Sequence, residues 1–375
     1  MPQTALPAAD FDLLDVPPAP AGHYAEQALL GALLLEPHRI KALGTLHPAD
    51  FANAGHLAVF DAMTTLTPPP PEVHASKPVW LTAVLEHARP AARGLTAAYL
   101  HQLVSTCPDP AHAPAYAAIV RAGHARRTLR AHAEHLIHTA SDPMLEDQPT
   151  AALAAADKLA GVLDHLAGRF PAHSSTLPRT PAPVHPLRDP DNEDVEDERL
   201  LLAALCAHPH PTEATRWLQP ADFAEPLHGR LFQCLLNVAR RRDPVDPITV
   251  LWEAQHQGLI TATLPPADLL GMLASGSTAA TEHSAELVLR RAMLARAHTT
   301  GLTVLAYTQD DTNTTSQLLT GTRRALADLG TVRHRWQRAI DPTPARTAQR
   351  HTPASPRAGP PPPLAKPAFA VRAAR

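Results

Sequence analysis

A four-residue phrase, PADF, occurs twice in the chain and places the strongest constraint on its fold. It begins at Pro48 and again at Pro220. In both places a histidine follows five residues after the phenylalanine, and a second phenylalanine follows four residues later. The matched residues lie 172 positions apart and are Phe51/Phe223, His56/His228 and Phe60/Phe232. Three identical spacings predict one structural unit written twice.

The repeat extends to the segment before each phrase. EQALLGALLL begins at Glu26 and ERLLLAALCA begins at Glu198. Both are rich in leucine and alanine, which favours helix. We expect each opening glutamate to lie at the N-terminal end of its helix, where the helix dipole favours an acid. Gly31 matches Ala203, so we also expect a close approach between helices there.

A length change between the copies falls in a single loop, which is Pro-rich in the first copy. Beyond this loop the offset settles at 169, so that Arg121 matches Arg290 and Arg127 matches Arg296. A change confined to one loop is what two diverged copies of one fold should show.

The composition predicts an all-α fold. Hydrophobic residues make up 45% of the chain but aromatic residues only 4%, so the cores must be built from Leu, Ala, Val and Ile. The 41 prolines, against 16 glycines, cluster along the chain, which indicates helical blocks separated by disordered connectors. We therefore predict two tandem helical bundles, each followed by a linker helix.

These patterns divide the chain into five parts. Residues 1–20 are predicted to be disordered, and 21–168 form the first helical domain with its linker helix. Residues 169–194 form a Pro-rich and acidic connector that we expect to be disordered. The second, more diverged domain and its linker helix occupy 195–340, and 341–375 form a disordered, basic, Pro-rich tail.

Bulk charge and cysteine content exclude several classes of protein. The formal net charge of −3 is not that of a protein that coats nucleic acid. The three cysteines form neither a disulfide framework nor a CxxC metal motif. The N-terminal sequence carries no signal-peptide pattern, and no apolar run is long enough to span a membrane. We expect a cytoplasmic protein.

Further motifs follow the repeat through both copies. The first copy carries an acid-led EQ-x-LLG-x-LL helix, an acid–phenylalanine pair before a histidine-containing helix, and a closing Y-A-x-IVR…RR segment. Its residues are Glu26, Gln27, Leu29, Leu30, Gly31, Leu33, Leu34, Asp50, Phe51, His56, Phe60, Pro108, Ala111, Tyr116, Ala117, Ile119, Val120, Arg121, Arg126 and Arg127. The second copy keeps Glu198, Pro220, Ala221, Asp222, Phe223, His228, Phe232, Val245, Asp246, Val288, Arg290 and Arg296.

This pattern resembles the N-terminal domain of DnaB-type replicative DNA helicases, over about 26–129 in the first copy and more weakly in the second. The resemblance implies a small all-α module that dimerises and builds the collar of a hexameric ring. It also implies contacts with the primase and, in some systems, with a helicase loader. In that family the catalytic part is a separate RecA-like ATPase.

The 375 residues contain no sign of that ATPase. A P-loop needs a Gly-Lys-Ser/Thr sequence, because the lysine reaches the phosphates of the nucleotide. None of the lysines, Lys41, Lys77, Lys158 and Lys366, follows a glycine. We expect no ATP hydrolysis, no catalytic residues and no cofactor.

The motif residues have a structural interpretation that we favour over a functional one. Phe51 and Phe223 are expected to fill a helix junction, while Asp50 and Asp222 cap a short helical turn. The candidates for the core or for an interface are Glu26, Gly31, Asp50, Phe51, His56, Phe60, Tyr116, Arg121, Arg127, Glu198, Asp222, Phe223, His228, Phe232, Arg290 and Arg296.

Other polar residues leave alternatives open. His132, His135 and His138 share a spacing of three on a predicted helix, but without a supporting motif we expect a solvated face and no metal site. The arginines late in each block can bind phosphate or a partner's acidic face, or they can pair with nearby acids. The basic tail can hold nucleic acid weakly or present its PPPP run as a docking segment.

The sequence favours a non-enzymatic replication protein that acts through protein–protein interaction. We expect the two repeats to pair within one chain or to form a homo-oligomer, and we expect the replicative helicase, its primase or its loader as partners. Two alternatives remain. One is a nucleic-acid-binding accessory protein that uses the arginines and the tail, and the other is a helicase subunit whose ATPase lies on another chain.

Overall fold

The described part of the chain consists of helices. The computed structural model describes residues 19–76, 78–170, 177–181, 192–207, 215–274 and 281–340. Within these ranges one isolated β-bridge occurs, between Thr261 and Leu264, and no strand. The all-α prediction is confirmed for these residues. We predicted disorder for 1–20 and 341–375. Apart from 19 and 20, these residues lie outside the described ranges.

In its described residues, the first repeat contains seven α-helices and three short 3₁₀ turns. The α-helices are α1 (Ala21–Leu35), α2 (Ala54–Thr65), α3 (Pro71–Ser76), α4 (Val79–Ala88), α5 (Ala97–Ser105), α6 (Ala113–Ser141) and α7 (Gln148–Arg169). The 3₁₀ turns are Pro37–Ala42, Pro48–Asp50 and Pro110–His112.

The second repeat follows the same order in its described residues. Its α-helices are α8 (Asn192–Ala207), α9 (Pro226–Arg240), α10 (Pro247–His256), α11 (Pro266–Ala274), α12 (Thr281–Gln309) and α13 (Thr315–Ile340). The turn Pro220–Asp222 precedes α9, as Pro48–Asp50 precedes α2. The helix α3 has no described counterpart, because it lies in the loop whose length differs between the copies.

Local sequence explains where several of these helices begin. The Asn53 side chain accepts hydrogen bonds from the N–H groups of Gly55, at 2.8 Å, and His56, at 3.2 Å, and so caps α2. Pro226 occupies the first position of α9, where a missing N–H has no cost.

Among the described residues, no helix combines the length and the apolar character that crossing a membrane requires.

The buried side chains of the described residues form three apolar cores. One lies within α1–α5 and the start of α6, which we call head 1. A second lies within α8–α11, the start of α12 and the end of α13, which we call head 2. The third core lies between the two heads and receives leucines and alanines from α6, α7, α12 and α13. These helices form two hairpins, hairpin 1 (α6 and α7) and hairpin 2 (α12 and α13), which bury their apolar faces against each other.

The two hairpins lie antiparallel, so that the tip of each reaches the other repeat. Arg126, near head 1, donates hydrogen bonds to the carbonyl oxygens of Thr308, Asp310 and Asn313 at 2.6–2.9 Å. These carbonyls lie at and beyond the C-terminal end of α12, where backbone acceptors lack helical partners. At the other end, Leu153 of α7 packs against the core of head 2.

The connector departs in part from its predicted disorder. The helices that flank it end at Arg169 and begin at Asn192, close to the predicted limits of 169 and 194. Between them, residues 177–181 lie against hairpin 2 and make hydrogen bonds with it. Polar side chains of hairpin 2 bond this segment, and Pro178 packs beside Gly321 and Tyr307.

Hairpin pairing can be tested at Gly301, where α12 crosses close to α6. A side chain added at Gly301 would place Cβ 2.6 Å from Ile137 Cγ1 and 3.0 Å from the Ala133 carbonyl oxygen. We therefore expect Gly301→Leu to lower the free energy of unfolding by about 2–3 kcal/mol, because the crossing becomes overpacked. Urea denaturation followed by circular dichroism measures the change.

Gly330→Leu is the matched control, because a Cβ at Gly330 of α13 meets no atom within 4 Å. Leucine favours helix over glycine, so this variant should be as stable as the wild type or slightly more stable. An equal loss of stability in both variants would contradict the pairing.

Candidate functional site

A buried carboxylate organises head 1. Glu26 lies inside α1, only 2% exposed. Its carboxylate accepts hydrogen bonds from the Ala52 N–H at 2.6 Å, the Asn53 N–H at 3.4 Å and His56 Nδ1 at 2.7 Å. Our expectation that Glu26 begins its own helix was wrong, because α1 already starts at Ala21. The carboxylate instead lies at the N-terminal end of α2, where free N–H groups favour an anion.

The histidine of this centre is closed to solvent. His56 Nε2 lies 2.6 Å from the Tyr99 hydroxyl, and the His23 ring stacks on His56 with ring centroids 5.1 Å apart. A carboxylate can only accept, so Nδ1 carries the proton shared with Glu26. The side chain of His56 is 0% exposed, and the centre therefore offers no reacting atom to a substrate.

Head 2 repeats this centre without the phenol. Glu198 accepts hydrogen bonds from the Ala224 N–H at 2.5 Å, the Glu225 N–H at 3.2 Å and His228 Nδ1 at 2.9 Å. Asp268 takes the sequence position that matches Tyr99. Glu198 also lies inside its helix, because α8 begins at Asn192. The same correction applies to both glutamates.

The PADF aspartates fasten each linker helix to its own head. Asp50 accepts a hydrogen bond from the His47 N–H at 2.9 Å, which closes the short turn, and one from Arg169 of α7 at 3.1 Å. Asp222 accepts equivalent bonds from the Gln219 N–H at 2.7 Å and from Arg335 of α13 at 2.8 Å. Each aspartate thus acts at a junction as well as in a turn.

The PADF phenylalanines pack in pairs within the two heads. Phe51 and Phe60 lie with ring centroids 4.9 Å apart, and Phe223 and Phe232 lie 5.1 Å apart. All four side chains are buried. These contacts are those of a core.

The arginines of the first repeat also act within the fold. Arg121 donates to the Leu43 carbonyl oxygen at 2.8 Å, and Arg127 donates to the Asp50 carbonyl oxygen at 2.6 Å. In the second repeat, Arg290 and Arg296 lie partly buried on α12.

The remaining two candidates lie in packing positions. A Cβ at Gly31 would overlap the Leu103 carbonyl oxygen, which confirms the predicted close approach, here between α1 and α5. Tyr116 is half-buried against the core of head 1 and meets His112 edge-on with ring centroids 6.2 Å apart.

Sequence reasoning missed three residues that complete these centres and junctions. They are Tyr99, Arg169 and Arg335. Arg169 and Arg335 are the partners of the two PADF aspartates. Each lies near the C-terminal end of its linker helix, so an alignment of the two linker helices is the signal that could have identified them. Nothing in the sequence distinguishes Tyr99 from an ordinary surface residue. Arg126 belongs to the Y-A-x-IVR…RR segment, but its contact with the tip of hairpin 2 is not encoded in that pattern.

The reactive side chains have environments that do not promote chemistry. Burial raises the pKa of the Cys206 thiol to about 12 and that of Cys234 to about 11, so neither forms a thiolate near neutral pH. Burial, together with His135 and Lys158, lowers the pKa of His132. In the described ranges, no group of three or more His, Cys, Asp or Glu side chains is arranged to hold a metal ion.

Comparison with protein families identifies the two heads. The model of the DnaB-like helicase N-terminal domain matches residues 19–122 and 190–290, which together make up more than half of the chain. The chain belongs to the DnaB-like helicase N-terminal-domain family. Two tandem copies of this domain cover head 1, most of head 2 and the first parts of α6 and α12. A search of curated proteins found no match.

Family membership indicates a helicase-related role in DNA replication. The matched residues contain the glutamate centres, the PADF turns and the phenylalanine pairs of both DnaB-type domains. The larger part of hairpins 1 and 2, which carries the pairing core, lies beyond them.

The glutamate centre of the first DnaB-type domain predicts a pH dependence of stability. Burial tends to raise the pKa of Glu26, but hydrogen bonds from His56 and from the Ala52 and Asn53 N–H groups outweigh it and hold the pKa below its ordinary value of 4.5. A lowered pKa in the folded state means that Glu26 stabilises the fold above pH 4.5 and loses this contribution as the pH falls further.

We expect Glu26→Gln to lower the free energy of unfolding at neutral pH by about 2–3 kcal/mol, because buried donors lose their charged acceptor. Urea denaturation at neutral and acidic pH measures this change, and the loss should shrink at low pH. Glu134→Gln, at an exposed position of α6, should alter stability by less than about 0.5 kcal/mol. A pH-independent loss in Glu26→Gln would contradict the electrostatic role of the carboxylate.

Proposed function

We propose that the protein acts in DNA replication by binding partner proteins, without catalysing a reaction itself. Its partners are the replicative helicase, the primase or the helicase loader. The observation that carries the proposal is the pairing of two DnaB-type domains inside one chain. The apolar faces of the two hairpins cover each other and are not available to partners. We therefore expect partners to bind the outward surfaces of the heads.

The buried centres support a non-catalytic role. Glu26 and His56 have a geometry that an acid–base pair could use, but both side chains are sealed inside head 1. The same pair recurs in head 2 at Glu198 and His228, also buried. A structural role requires the same buried pair in each copy of the domain, and both heads contain it.

Head 2 carries an exposed apolar surface suited to a partner. Ile248 is 61% exposed and Trp252 is 60% exposed. They lie four residues apart on α10, so they share one face of the helix. The matched positions in head 1 hold the smaller Val79 and Ala83. Exposed tryptophan is enriched at the centres of protein interfaces, and the second repeat therefore has its own candidate for binding.

The hydrogen bonds and ion pairs of several arginines argue against the nucleic-acid-binding alternative. Arg121, Arg126 and Arg127 donate to backbone carbonyls, and Arg291 pairs with Asp194 at 2.6 Å and Asp197 at 2.8 Å. Guanidinium groups held in this way are not free to track phosphates. The basic residues 341–375 stay a candidate for a DNA contact.

Partner capture tests the proposal. The immobilised full chain is offered purified replicative helicase, primase and loader in turn, and we expect one of them to be retained. Trp252→Ala should weaken that binding about tenfold or more, as loss of an interface anchor does. Gln255→Ala, at an exposed position of the same helix, should leave it unchanged. Retention of none of the three proteins would contradict the proposal.

The alternatives predict different results. A nucleic-acid-binding protein would bind DNA with steep salt dependence, and deletion of residues 341–375 would abolish the binding. We expect at most weak binding that this deletion removes, with capture of the protein partner unaffected. ATP-dependent unwinding by the isolated chain would contradict a non-catalytic role.

A further inference from the structure

A short piece of the connector is bound at the tip of hairpin 2. Thr180 donates its hydroxyl proton to Asp310 Oδ2 at 2.5 Å and accepts a hydrogen bond from Asn313 Nδ2 at 2.7 Å. The Arg179 N–H donates to Asn313 Oδ1 at 2.8 Å. Gln317 Nε2 donates to the Leu177 carbonyl oxygen at 3.0 Å. Backbone and side chain of the segment are therefore both recognised.

The tip orients these groups through its own hydrogen bonds. Asp310 Oδ1 accepts from the Thr312 N–H at 2.9 Å, which leaves Oδ2 facing Thr180. Gln317 Oε1 accepts from the Thr314 N–H at 2.8 Å, so its amide nitrogen faces the connector. Asn313 is only 3% exposed. Groups held in place before binding lose little freedom on binding.

A proline-shaped space completes this site. Pro178 lies over α13 at Gly321, where an added Cβ would come 2.5 Å from the proline Cγ and 2.7 Å from Cε2 of Tyr307. The site therefore combines an apolar space for one proline with a polar position for the threonine that follows it by two residues. This combination fits a peptide of sequence Leu-Pro-x-Thr-Pro.

The position of this segment limits where hairpin 2 can lie. Only six residues separate Phe170 from Leu177, so the Cα atoms of these two residues lie at most about 25 Å apart. The end of α7 is itself held to head 1 by the Arg169–Asp50 ion pair. A bound connector thus keeps the tip of hairpin 2 beside head 1 of its own chain.

We propose that the tip of hairpin 2 is a binding site for a proline-flanked threonine peptide, and that its ligand is residues 177–181 of the same chain. Occupancy of this site selects pairing of the hairpins within a chain. When the segment leaves, the free connector is long enough for hairpin 2 to pair with hairpin 1 of a second copy, as in domain swapping. The inference is independent of which replication protein the heads bind.

The test compares three full-length chains, namely the wild type, Thr180→Val and the control Arg179→Ala. Thr180→Val keeps the shape of the side chain but removes both hydroxyl hydrogen bonds. Arg179→Ala removes an exposed side chain and leaves its bonded N–H in place. Hydrogen exchange should show the amide of residue 179 protected in the wild type and control, and exchanging about tenfold faster in Thr180→Val. Equal protection in all three chains would overturn the site.

The second measurement addresses pairing. Each chain is unfolded, refolded at high concentration and analysed by light scattering after size separation. We expect Thr180→Val to yield a several-fold larger fraction of dimer than the wild type and control. Pro178→Ala, which opens the proline space, should behave like Thr180→Val. An equal dimer fraction in all four chains would overturn the role of the segment in selecting intrachain pairing.

Discussion

Burial of the alanine- and leucine-rich faces of α6, α7, α12 and α13 against one another holds the two repeats together. A single hairpin would leave such a face in water, since its own two helices cover only part of it. Two repeats in one chain meet this requirement without a second molecule, because the connector keeps their local concentration high. The hairpins pair antiparallel, which places each hairpin tip at the other repeat.

Carboxylates hold each repeat together at two places. Asp50 and Asp222 each accept a hydrogen bond from an arginine of the linker helix, which joins head and hairpin. Glu26 and Glu198 act inside the heads, where they join α1 to the start of α2 and α8 to the start of α9. The aspartate–arginine pairs thus hold each head against the end of its own linker helix. Partner binding is left to outward surfaces such as α10.

The sequence predicted the helical class and the two repeats, because repetition exposes positions that both copies need. It did not predict what several motif residues contact. Glu26 was placed at the start of its helix, although its partners lie 26–30 residues away in sequence. The contact of Arg126 with the tip of hairpin 2 spans more than 180 residues. Such long-range partners depend on the packing of whole helices, which local patterns do not encode.

Intrachain pairing is tested most directly by a distance between the two hairpins. Asp157 of α7 and Arg333 of α13 form an exposed ion pair across the interface and can both be replaced by spin-labelled cysteines. Pulsed electron resonance should give one short, narrow distance that is unchanged when the labelled chain is refolded with an excess of unlabelled chain. Loss of the short distance on this dilution, or a broad and long distribution throughout, would contradict the account.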